Sequence, residues 1–315
     1  MKTLARKQIE ALLPSLDLLP AIEEAFARYS AGEAVVPPVG ELLLPGGDVH
    51  IKYGLMKGDP YYVVKIASGF YGNPARGLPS SNGMMLLFRQ ETGEPAAVLL
   101  DEGRLTDVRT AVAGAIAAKY LAPKDLRRIG IIGTGTQARL QLEYLQQVTD
   151  CRDAAVWGRN ESALTTYSDD MERAGFTMAV MGDVEDLLEA CQLIVTTTPA
   201  TSPLITTYMR AGTHLTCVGS DTAEKQEVAA DVVGQSDVIV ADSIVQCLER
   251  GEIHHAVRDG RVERGGLVEL GDVVAGRVPG RTSADQVTVA DLTGVAVQDI
   301  AIATAVFEAA ERGEG

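Results

Sequence analysis

A glycine-rich turn in the middle of the chain carries the most specific chemical signal. Residues 129–138 read Ile-Gly-Ile-Ile-Gly-Thr-Gly-Thr-Gln-Ala, which places Gly133, Gly135 and Ala138 in the G-x-G-x-x-A spacing. The first glycine permits a tight bend, the second lets the backbone approach a pyrophosphate, and the alanine lets the next helix pack on its strand. The helix N-terminus offers N–H groups and a positive dipole end to phosphates. The sequence therefore predicts a dinucleotide site, with Thr136 and Gln137 included.

The end of the following strand bears on which dinucleotide binds. A carboxylate there accepts from the ribose hydroxyls of NAD, whereas an arginine pairs with the 2′-phosphate of NADP. The sequence reads Val156-Trp157-Gly158-Arg159-Asn160, with no acid at the tip. We therefore expect Arg159 to favour NADPH, since a guanidinium suits a phosphate, unless it is only an exposed loop arginine. NADH stays open, because Asn160 or backbone groups can also bind the ribose.

The elements around the turn alternate between strand and helix from Lys124 onward. This rhythm predicts a doubly wound parallel sheet of the Rossmann type. The expected strands are Arg128–Ile132, Ala154–Trp157, Thr177–Val180, Leu193–Thr197, His214–Val218 and Val238–Ala241. The expected helices include Gln137–Gln147, Glu161–Ala174 and Val184–Ala190, and the run 287–292 leads into a last helix at Val295–Glu311.

The first part of the chain, up to about Pro123, has a different pattern. Residues 7–31 follow a helical period, and several alternating runs come after them. These candidate strands are Glu41–Leu44, Asp48–Tyr53, Tyr61–Ala67, Gly83–Arg89 and Ala96–Leu100. We expect a mainly antiparallel sheet, an alanine-rich helix at Asp107–Leu121, and packing of the last helix back onto this part. The whole chain is therefore expected to be an α/β protein with a second, mixed α+β domain.

Composition narrows the class of protein. The 315 residues carry a formal charge of −15, which argues against nucleic acid or an anionic membrane as a partner. Four scattered cysteines show no C-x-x-C spacing, so we expect reduced and mostly buried thiols. The N-terminus lacks the apolar segment of a leader, and no run is long enough to cross a bilayer. We expect a soluble, cytoplasmic protein.

Several motifs outside the turn are more telling than the turn itself. They are Lys65 in Val-Val-Lys-Ile-Ala-Ser-Gly, the run Leu105-Thr106-Asp107-Val108-Arg109-Thr110-Ala111, Gly219-Ser220-Asp221 followed by Lys225-Gln226-Glu227, and Asp291-Leu-Thr-Gly294 with Asp299. In this order they resemble the ornithine cyclodeaminase / mu-crystallin family along nearly the whole chain. The resemblance implies a substrate-binding and dimerisation domain over residues 1–123 and 295–315. It implies a Rossmann dinucleotide-binding domain over residues 124–294, and a homodimer.

The resemblance also implies a chemistry and a set of site residues. Members exchange hydride between a nicotinamide cofactor and the α-carbon of an amino acid or its imine. Lys65 and Arg109 would hold the substrate carboxylate, Asp221 would exchange a proton with the substrate nitrogen, and Lys65 would share in catalysis. Thr293 would contact the substrate. Further contacts with the cofactor would come from Ser81, Arg109, Thr197, Val218, Lys225 and Leu292.

Each of the three main residues also has a purely structural interpretation. Asp221 would serve as the N-cap of a helix that follows it. Lys65 would be an exposed lysine of a strand. Arg109 would be a surface ion-pair partner of Asp107.

One position departs from the family pattern. Members commonly carry an arginine shortly after a proline near position 39, where this chain reads Val36-Pro37-Pro38-Val39-Gly40. Lys52 or Lys57 could replace it, and a second cation would suit a dicarboxylic imine. The same stretch, together with the run Gly69-Phe-Tyr-Gly-Asn73-Pro74 and the run Gly77-Leu-Pro-Ser80-Ser81-Asn82-Gly83, looks closer to the ectoine-utilisation and iminosuccinate reductase branch.

Three functions follow from these residues. The first is an NAD(P)H-dependent imine reductase or amino-acid dehydrogenase, the second a cyclodeaminase that uses NAD catalytically, and the third a cofactor-dependent binding protein. The acidic residue at position 221 argues against the binding protein, because a protein that only binds its ligand needs no acid there. No metal is expected, because the adjacent His254 and His255 should not face one another and no paired ligands support them.

Overall fold

The computed structural model describes residues 1–313, which divide into two compact units. The first unit is Met1–Arg109 together with the segment that starts at Val295, and the second is Thr110–Gly294. The division falls inside the helix Arg104–Leu121. Its residues from Thr110 onward belong to the second unit, where the Thr110 carbonyl accepts a hydrogen bond from the Gln141 side chain. The boundaries expected from the sequence, at residues 123 and 294, stay a prediction.

A mixed sheet forms the centre of the first unit. Its strands within residues 1–313 are β1 Lys2–Ala5, β2 Ala34–Val35, β3 Gly40–Leu44, β4 Gly47–Met56, β5 Tyr61–Gly69, β6 Ser81–Arg89 and β7 Pro95–Leu100. The order is β1-β7-β6-β5-β4-β2, with β3 also paired to β4. Every pairing is antiparallel except β1 with β7. The antiparallel meander was predicted, while the short strands β1 and β2 were not.

Three helices belong to this part of the chain, and the third continues into the second unit. They are α1 Arg6–Leu12, α2 Leu18–Ser30 and α3 Arg104–Leu121. The helical period over 7–31 is thus split by a short 3-10 turn, Leu13–Ser15, at Pro14, whose ring cannot continue the hydrogen-bond ladder. Helix α3 begins earlier than predicted, because the carboxylate of Asp101 accepts the Leu105 N–H at 2.8 Å and caps its first turn.

The second unit contains a wholly parallel sheet. Its strands within the described residues are β8 Ile129–Ile132, β9 Asp153–Trp157, β10 Thr177–Val180, β11 Leu193–Thr196, β12 His214–Cys217, β13 Val238–Ala241, β14 Leu267–Glu269 and β15 Thr288–Asp291. The order is β10-β9-β8-β11-β12-β15-β13-β14. The chain leaves β8 toward β9 and later returns to its other side with β11, so the strand order reverses at β8. Ligands bind at such switch points in open α/β sheets.

The helices of the second unit are mostly short. They are α4 Thr136–Leu145, α5 Glu161–Arg173, α6 Val184–Ala190, α7 Ala230–Gly234, α8 Ile244–Cys247, α9 Glu252–Arg258 and α10 Leu270–Val274. Apolar side chains such as Ile132, Leu187 and Ile194 form its core. The doubly wound α/β fold predicted from the strand–helix rhythm is confirmed.

The last helix, α11, spans Ala296–Arg312 and belongs to the first unit. It packs against α2, β4 and β5, as the sequence predicted. Its first turn is buried and carries Gln298 and Asp299.

The cysteines are free, as expected, and Cys191, Cys217 and Cys247 are buried. Burial raises the pKa of each of these three thiols. Within residues 1–313, no helix combines the length and the apolar character that a membrane span requires.

Candidate active site

The first glycine of the turn has a conformation and a neighbour that exclude other residues. Gly133 has φ +120°, and a Cβ there would lie 2.5 Å from the Oγ1 of Thr197. Its N–H donates to the Trp157 carbonyl at 2.9 Å, and the Thr197 hydroxyl donates to the Ile132 carbonyl at 3.1 Å. The turn therefore joins the carboxyl ends of β8, β9 and β11. It brings the predicted residue Thr197 to the glycine loop.

The second glycine has the opposite environment. Gly135 is the N-cap of α4 with φ −82°, and a Cβ built on it would meet no described atom within 4 Å. No side chain of the described residues caps α4 at this position. Thr136 is exposed beside it, while Ala138 is buried and its carbonyl accepts from the Tyr167 hydroxyl. An open space before an uncapped helix N-terminus fits the pyrophosphate of a dinucleotide.

Arg159 and Asn160 follow β9 on the surface. Both are exposed, and the Oδ1 of Asn160 accepts the Ala163 N–H at 2.9 Å, which caps α5. Asn160 therefore has a structural role as a helix cap, which was not predicted from the sequence. The role of Arg159 in phosphate binding stays a prediction.

Asp221 lies just beyond β12 and is half-exposed. Its Oδ1 forms an ion pair with the ammonium of the buried Lys225 at 2.6 Å. Residues 221–228 contain no helix, and α7 begins only at Ala230. The interpretation of Asp221 as a helix N-cap is therefore wrong. Val218, another predicted residue, is buried directly before this segment and donates its N–H to the Thr196 carbonyl at 3.0 Å.

The predicted residues Leu292 and Thr293 follow β15 and are also buried. Leu292 donates its N–H to the Cys217 carbonyl at 3.0 Å. The Thr293 hydroxyl donates to Asp242 at 3.0 Å and accepts from the Gln246 side chain at 2.9 Å. Both partners of Thr293 lie in the same unit, so its hydroxyl has a structural task in addition to the predicted contact with the substrate.

In the first unit, two predicted cations meet a carboxylate that sequence reasoning had given no role. The ammonium of Lys65 lies 2.9 Å from one oxygen of Asp299 and 3.1 Å from the other. The Nε of Arg109 lies 3.0 Å from Asp299, and its Nη1 donates to the Gln298 side chain at 3.0 Å. Lys65 is 1% exposed and Arg109 5% exposed. Neither is a surface residue, so both structural interpretations are wrong.

Lys52 joins this group through the register of the sheet. It lies directly opposite Lys65 in the antiparallel pair β4–β5 and is likewise buried. Lys57, the other proposed substitute for the family arginine, is exposed and donates to the Gly32 carbonyl at 2.7 Å. The structure thus places Lys52 with the predicted carboxylate-binding residues and Lys57 apart from them. Ser81, the first residue of β6, is half-buried opposite Gly69.

The charges of this group dominate the titration of Asp299. Burial alone would raise the pKa of its carboxyl group, but the charges of Lys65, Arg109 and Lys52 outweigh burial and hold the pKa below its usual value. The charges of three cations therefore act together on Asp299 and favour its ionised form. We call Lys52, Lys65, Arg109 and Asp299 the cation cluster.

The histidines His254 and His255 differ from expectation in one respect. Their rings are in edge-to-face contact with centroids 5.2 Å apart, although they are adjacent in the chain. One ring nitrogen of His254 is hydrogen-bonded to the Leu248 carbonyl, and one ring nitrogen of His255 to the Lys225 carbonyl. Among the described residues, no group of three His, Cys, Asp or Glu is arranged to hold a metal ion.

The parallel sheet with its glycine turn and the separate mixed sheet define an α/β protein with a Rossmann dinucleotide-binding fold. Comparison with known proteins identifies the family. Residues 1–314 match the model of the ornithine cyclodeaminase/mu-crystallin family. The chain belongs to this family.

Three similar proteins illustrate its range. An uncharacterized cyclodeaminase of Sinorhizobium fredii is 41% identical, over 99% of this chain and 96% of its own length. The structure of an archaeal alanine dehydrogenase dimer with bound NAD is 34% identical, with a TM-score of 0.90, over 100% of this chain and 98% of that one. The iminosuccinate reductase of Paracoccus denitrificans in complex with NAD+ is 30% identical, with a TM-score of 0.88 and the same coverage.

Proposed function

We propose that the protein is an NAD(P)H-dependent imine reductase or amino-acid dehydrogenase that converts an imino acid to an L-amino acid. The observation that carries this proposal is the cation cluster. Lys65 and Arg109 are buried and face one carboxylate, Asp299. A buried lysine and a buried arginine gathered at one point suit a further anion, and the carboxylate of an imino acid is one.

The two cations have different tasks in holding a substrate. The planar fork of Arg109 orients a carboxylate, while the ammonium of Lys65 acts as a point charge. Asp299 and Gln298 fix the Arg109 guanidinium before any substrate arrives. Such pre-organisation lowers the entropic cost of aligning the reacting carbon.

Proton transfer falls to Asp221. Reduction of an imine requires a proton on nitrogen as the α-carbon receives a hydride, so one proton and one hydride convert C=N to CH–NH. Because Asp221 is ion-paired with the Lys225 ammonium as a carboxylate, it would first take a proton from water, which its half-exposed position allows, and then pass it to the nitrogen. The Lys225 ammonium can compensate the charge left on the carboxylate after the proton has gone. In the reverse direction Asp221 would accept the proton.

The glycine turn would hold the cofactor. Gly133, Gly135, Thr136, Gln137 and Ala138 form the uncapped start of α4, where a pyrophosphate fits. When bound, the nicotinamide ring supplies or accepts the hydride. The alanine dehydrogenase and iminosuccinate reductase structures hold NAD, and the exposed Arg159 supports additional use of the 2′-phosphate form. We propose that both NADH and NADPH serve, with NADPH favoured.

Lys52 bears on the substrate. A second cation opposite Lys65 favours a substrate with a second carboxylate, such as iminosuccinate, and repels one with a distal ammonium, such as ornithine. The iminosuccinate reductase of Paracoccus denitrificans is a relative with the first kind of substrate. The alternative is an ammonia-releasing cyclodeaminase that uses NAD catalytically, which the 41% identity to a protein named a cyclodeaminase supports.

We also propose a homodimer formed through the first unit. Strand β3 exposes Leu42, Leu43 and Leu44, which are 55%, 67% and 46% accessible. Consecutive exposed leucines are typical of a surface that another subunit covers. The alanine dehydrogenase relative is a dimer.

The deciding experiment follows the absorbance of NADH and NADPH with a panel of 2-oxo acids, oxaloacetate included, mixed with ammonia or methylamine. We expect oxidation with at least one acid, and its loss in Lys65→Met and Asp221→Asn. Lys57→Met, on an exposed lysine, is the matched control and should keep wild-type activity. Ammonia release from ornithine with catalytic NAD, and no oxidation with any acid, would instead establish the cyclodeaminase.

A further inference from the structure

Glu227 belongs to the Lys225-Gln226-Glu227 motif but has no role in the proposed chemistry. It is completely buried, and its side chain lies at the carboxyl ends of β11 and β12. Hydrogen bonds from three residues converge on its side chain. One oxygen accepts the Thr198 N–H at 2.6 Å. The other accepts the Thr196 hydroxyl at 2.7 Å and the Gly219 N–H at 2.9 Å. The carboxylate thus ties together two neighbouring strand ends.

The backbone of Glu227 is held just as firmly. Its carbonyl accepts from the N–H groups of Leu204 at 2.7 Å and Ile205 at 3.0 Å. Its own N–H donates to the buried carboxylate of Glu252 at 2.7 Å, which also accepts the Val228 N–H. With both ends fixed, the Glu227 side chain cannot follow Gly219 if that residue moves.

The bond from Gly219 to Glu227 closes a loop that contains Asp221. Inside the loop, the Ser220 hydroxyl donates to the Lys225 carbonyl at 2.5 Å, and the Lys225 ammonium meets Asp221 at 2.6 Å. Asp221 lies two residues after one anchor, and Lys225 lies two residues before the other. The position of the proposed acid therefore depends on the carboxylate at 227.

The close approach of residue 219 to Glu227 also explains why residue 219 is a glycine. A Cβ on residue 219 would lie 2.5 Å from an oxygen of Glu227 and would collide with the Thr198 carbonyl. Gly219 thus permits the short contact with Glu227. The glycine and the glutamate form one structural unit.

The donor set demands two acceptor oxygens at position 227. The N–H groups of Thr198 and Gly219 can only donate, and each donates to a different oxygen. The Thr198 side chain adds a further hydrogen bond. A glutamine of the same shape would turn its NH2 group toward one of these N–H groups in either orientation. Burial raises the pKa of Glu227 to about 7, although the bonds from Thr196, Thr198 and Gly219 lower it. A protonated Glu227 can still accept hydrogen bonds from the N–H groups of Thr198 and Gly219, because its own proton can be donated to the Thr196 oxygen.

We propose that Glu227 is a positioning residue that fixes Asp221 by anchoring Gly219 and Thr198. This proposal rests on the proposed role of Asp221 as the proton donor. In this positioning role Glu227 contacts neither the substrate nor the reacting atoms. Its effect is to hold the loop 219–227 in one conformation.

The test uses Glu227→Gln in the full-length protein, with His214→Gln as the matched control. His214 is equally buried and hydrogen-bonded in the same sheet, but it begins β12 and so lies at the opposite ends of the strands. Two readouts are needed. Amide hydrogen exchange of residues 219–226 reports on the loop without cofactor or substrate, and kcat and KM report on the reaction.

For Glu227→Gln we expect exchange at residues 219–226 to be faster by about tenfold or more, because a buried N–H loses its acceptor. We expect kcat to fall by about 10- to 100-fold while the KM for the imine changes by less than about threefold. His214→Gln should lower the melting temperature yet keep wild-type exchange in this loop and kcat within about twofold. This split between kcat and KM would not arise from destabilisation alone.

Wild-type exchange and wild-type kcat in Glu227→Gln would overturn the proposal, as would an equal loss of kcat in His214→Gln. If the wild-type protein reduces no imine, the proposed function fails, and the exchange measurement still decides whether Glu227 anchors the loop. Unchanged exchange in that case overturns the anchoring role as well. The two failures are therefore distinguishable.

Discussion

Lys52 and Lys65 lie directly opposite each other in the antiparallel pair β4–β5, and both are buried. Like charges in this arrangement destabilise a sheet, and burial increases the cost. Asp299 offsets part of it by ion pairing with Lys65. We propose that an anionic substrate offsets a further part of this cost when it binds.

Replacing Lys52 therefore tests the class of substrate. In Lys52→Gln we expect kcat/KM for a dicarboxylic imine to fall by about 10- to 100-fold, because one charged hydrogen bond is lost. A monocarboxylic imine should lose less than about threefold. The measurement is nucleotide oxidation with both substrates at matched concentrations.

Lys57→Gln is the control for this prediction, since it removes the same charge from an exposed position of the same unit. It should leave both substrates unaffected. Equal losses for the two imines in Lys52→Gln would refute a dedicated second carboxylate site.

Asp299 is expected to matter for stability as much as for the site. Asp299→Asn removes a buried counter-charge that Lys65 and Arg109 share, so we expect the free energy of unfolding to fall by about 3–5 kcal/mol. Glu311→Gln is a matched control on the same helix, because Glu311 pairs with Lys2 on the surface and should contribute less than about 1 kcal/mol. Urea unfolding of both variants measures the difference.

The same residue predicts a dependence on pH with a definite sign. The folded state holds the pKa of Asp299 below its value in the unfolded chain. The unfolded chain therefore binds the proton first, and the stabilisation from Asp299 is complete above about pH 4 and is lost as the pH falls through the lower, folded pKa. The difference in unfolding free energy between wild type and Asp299→Asn should shrink over this acid range. A difference that stays constant would contradict the ion-paired state of Asp299.

Local patterns in the sequence were sufficient for most of the fold and for the glycine turn. Alternation with a period of two predicted β4 to β7, and the strand–helix rhythm predicted the parallel sheet. The three-residue strand β14 was missed, because so short a run carries no periodicity. The break at Pro14 was missed because apolar positions continue on a helical period on both sides of it.

The cation cluster was predictable only in part. The motifs identified Lys65 and Arg109, but their partner Asp299 lies 234 residues beyond Lys65. Nothing local marks that aspartate as a buried counter-ion rather than an ordinary helix residue. Glu227 was likewise quoted within a motif without a role, because its donors come from two other strand ends. Pairings of this kind depend on tertiary packing, which spacing in one sequence does not contain.

The two glycines of the turn are expected to separate folding from cofactor binding. Gly135→Ala should keep the wild-type free energy of unfolding within about 0.5 kcal/mol, because its Cβ meets no described atom within 4 Å and its φ is ordinary. The added methyl group would occupy the space proposed for the pyrophosphate, so the Kd for NADH or NADPH should rise by about tenfold or more. Nucleotide titration followed by fluorescence measures it.

Gly133→Ala provides the contrast, because its Cβ would collide with Thr197 and its φ of +120° is strained for alanine. It should lower both stability and nucleotide affinity. If Gly135→Ala bound nucleotide as tightly as the wild type, the turn would not be the pyrophosphate site.

Arg159 is expected to decide between the two nucleotides. It is exposed after β9, with no acid beside it at the strand tip, so its guanidinium is available to a 2′-phosphate. In Arg159→Ala we expect the KM for NADPH to rise by about tenfold and the KM for NADH to change by less than about twofold. Arg173→Ala is the control, because Arg173 is exposed in the same unit and pairs with Asp170 on α5. Parallel changes in both nucleotides would remove Arg159 from phosphate recognition and leave the ribose to Asn160 or to backbone groups.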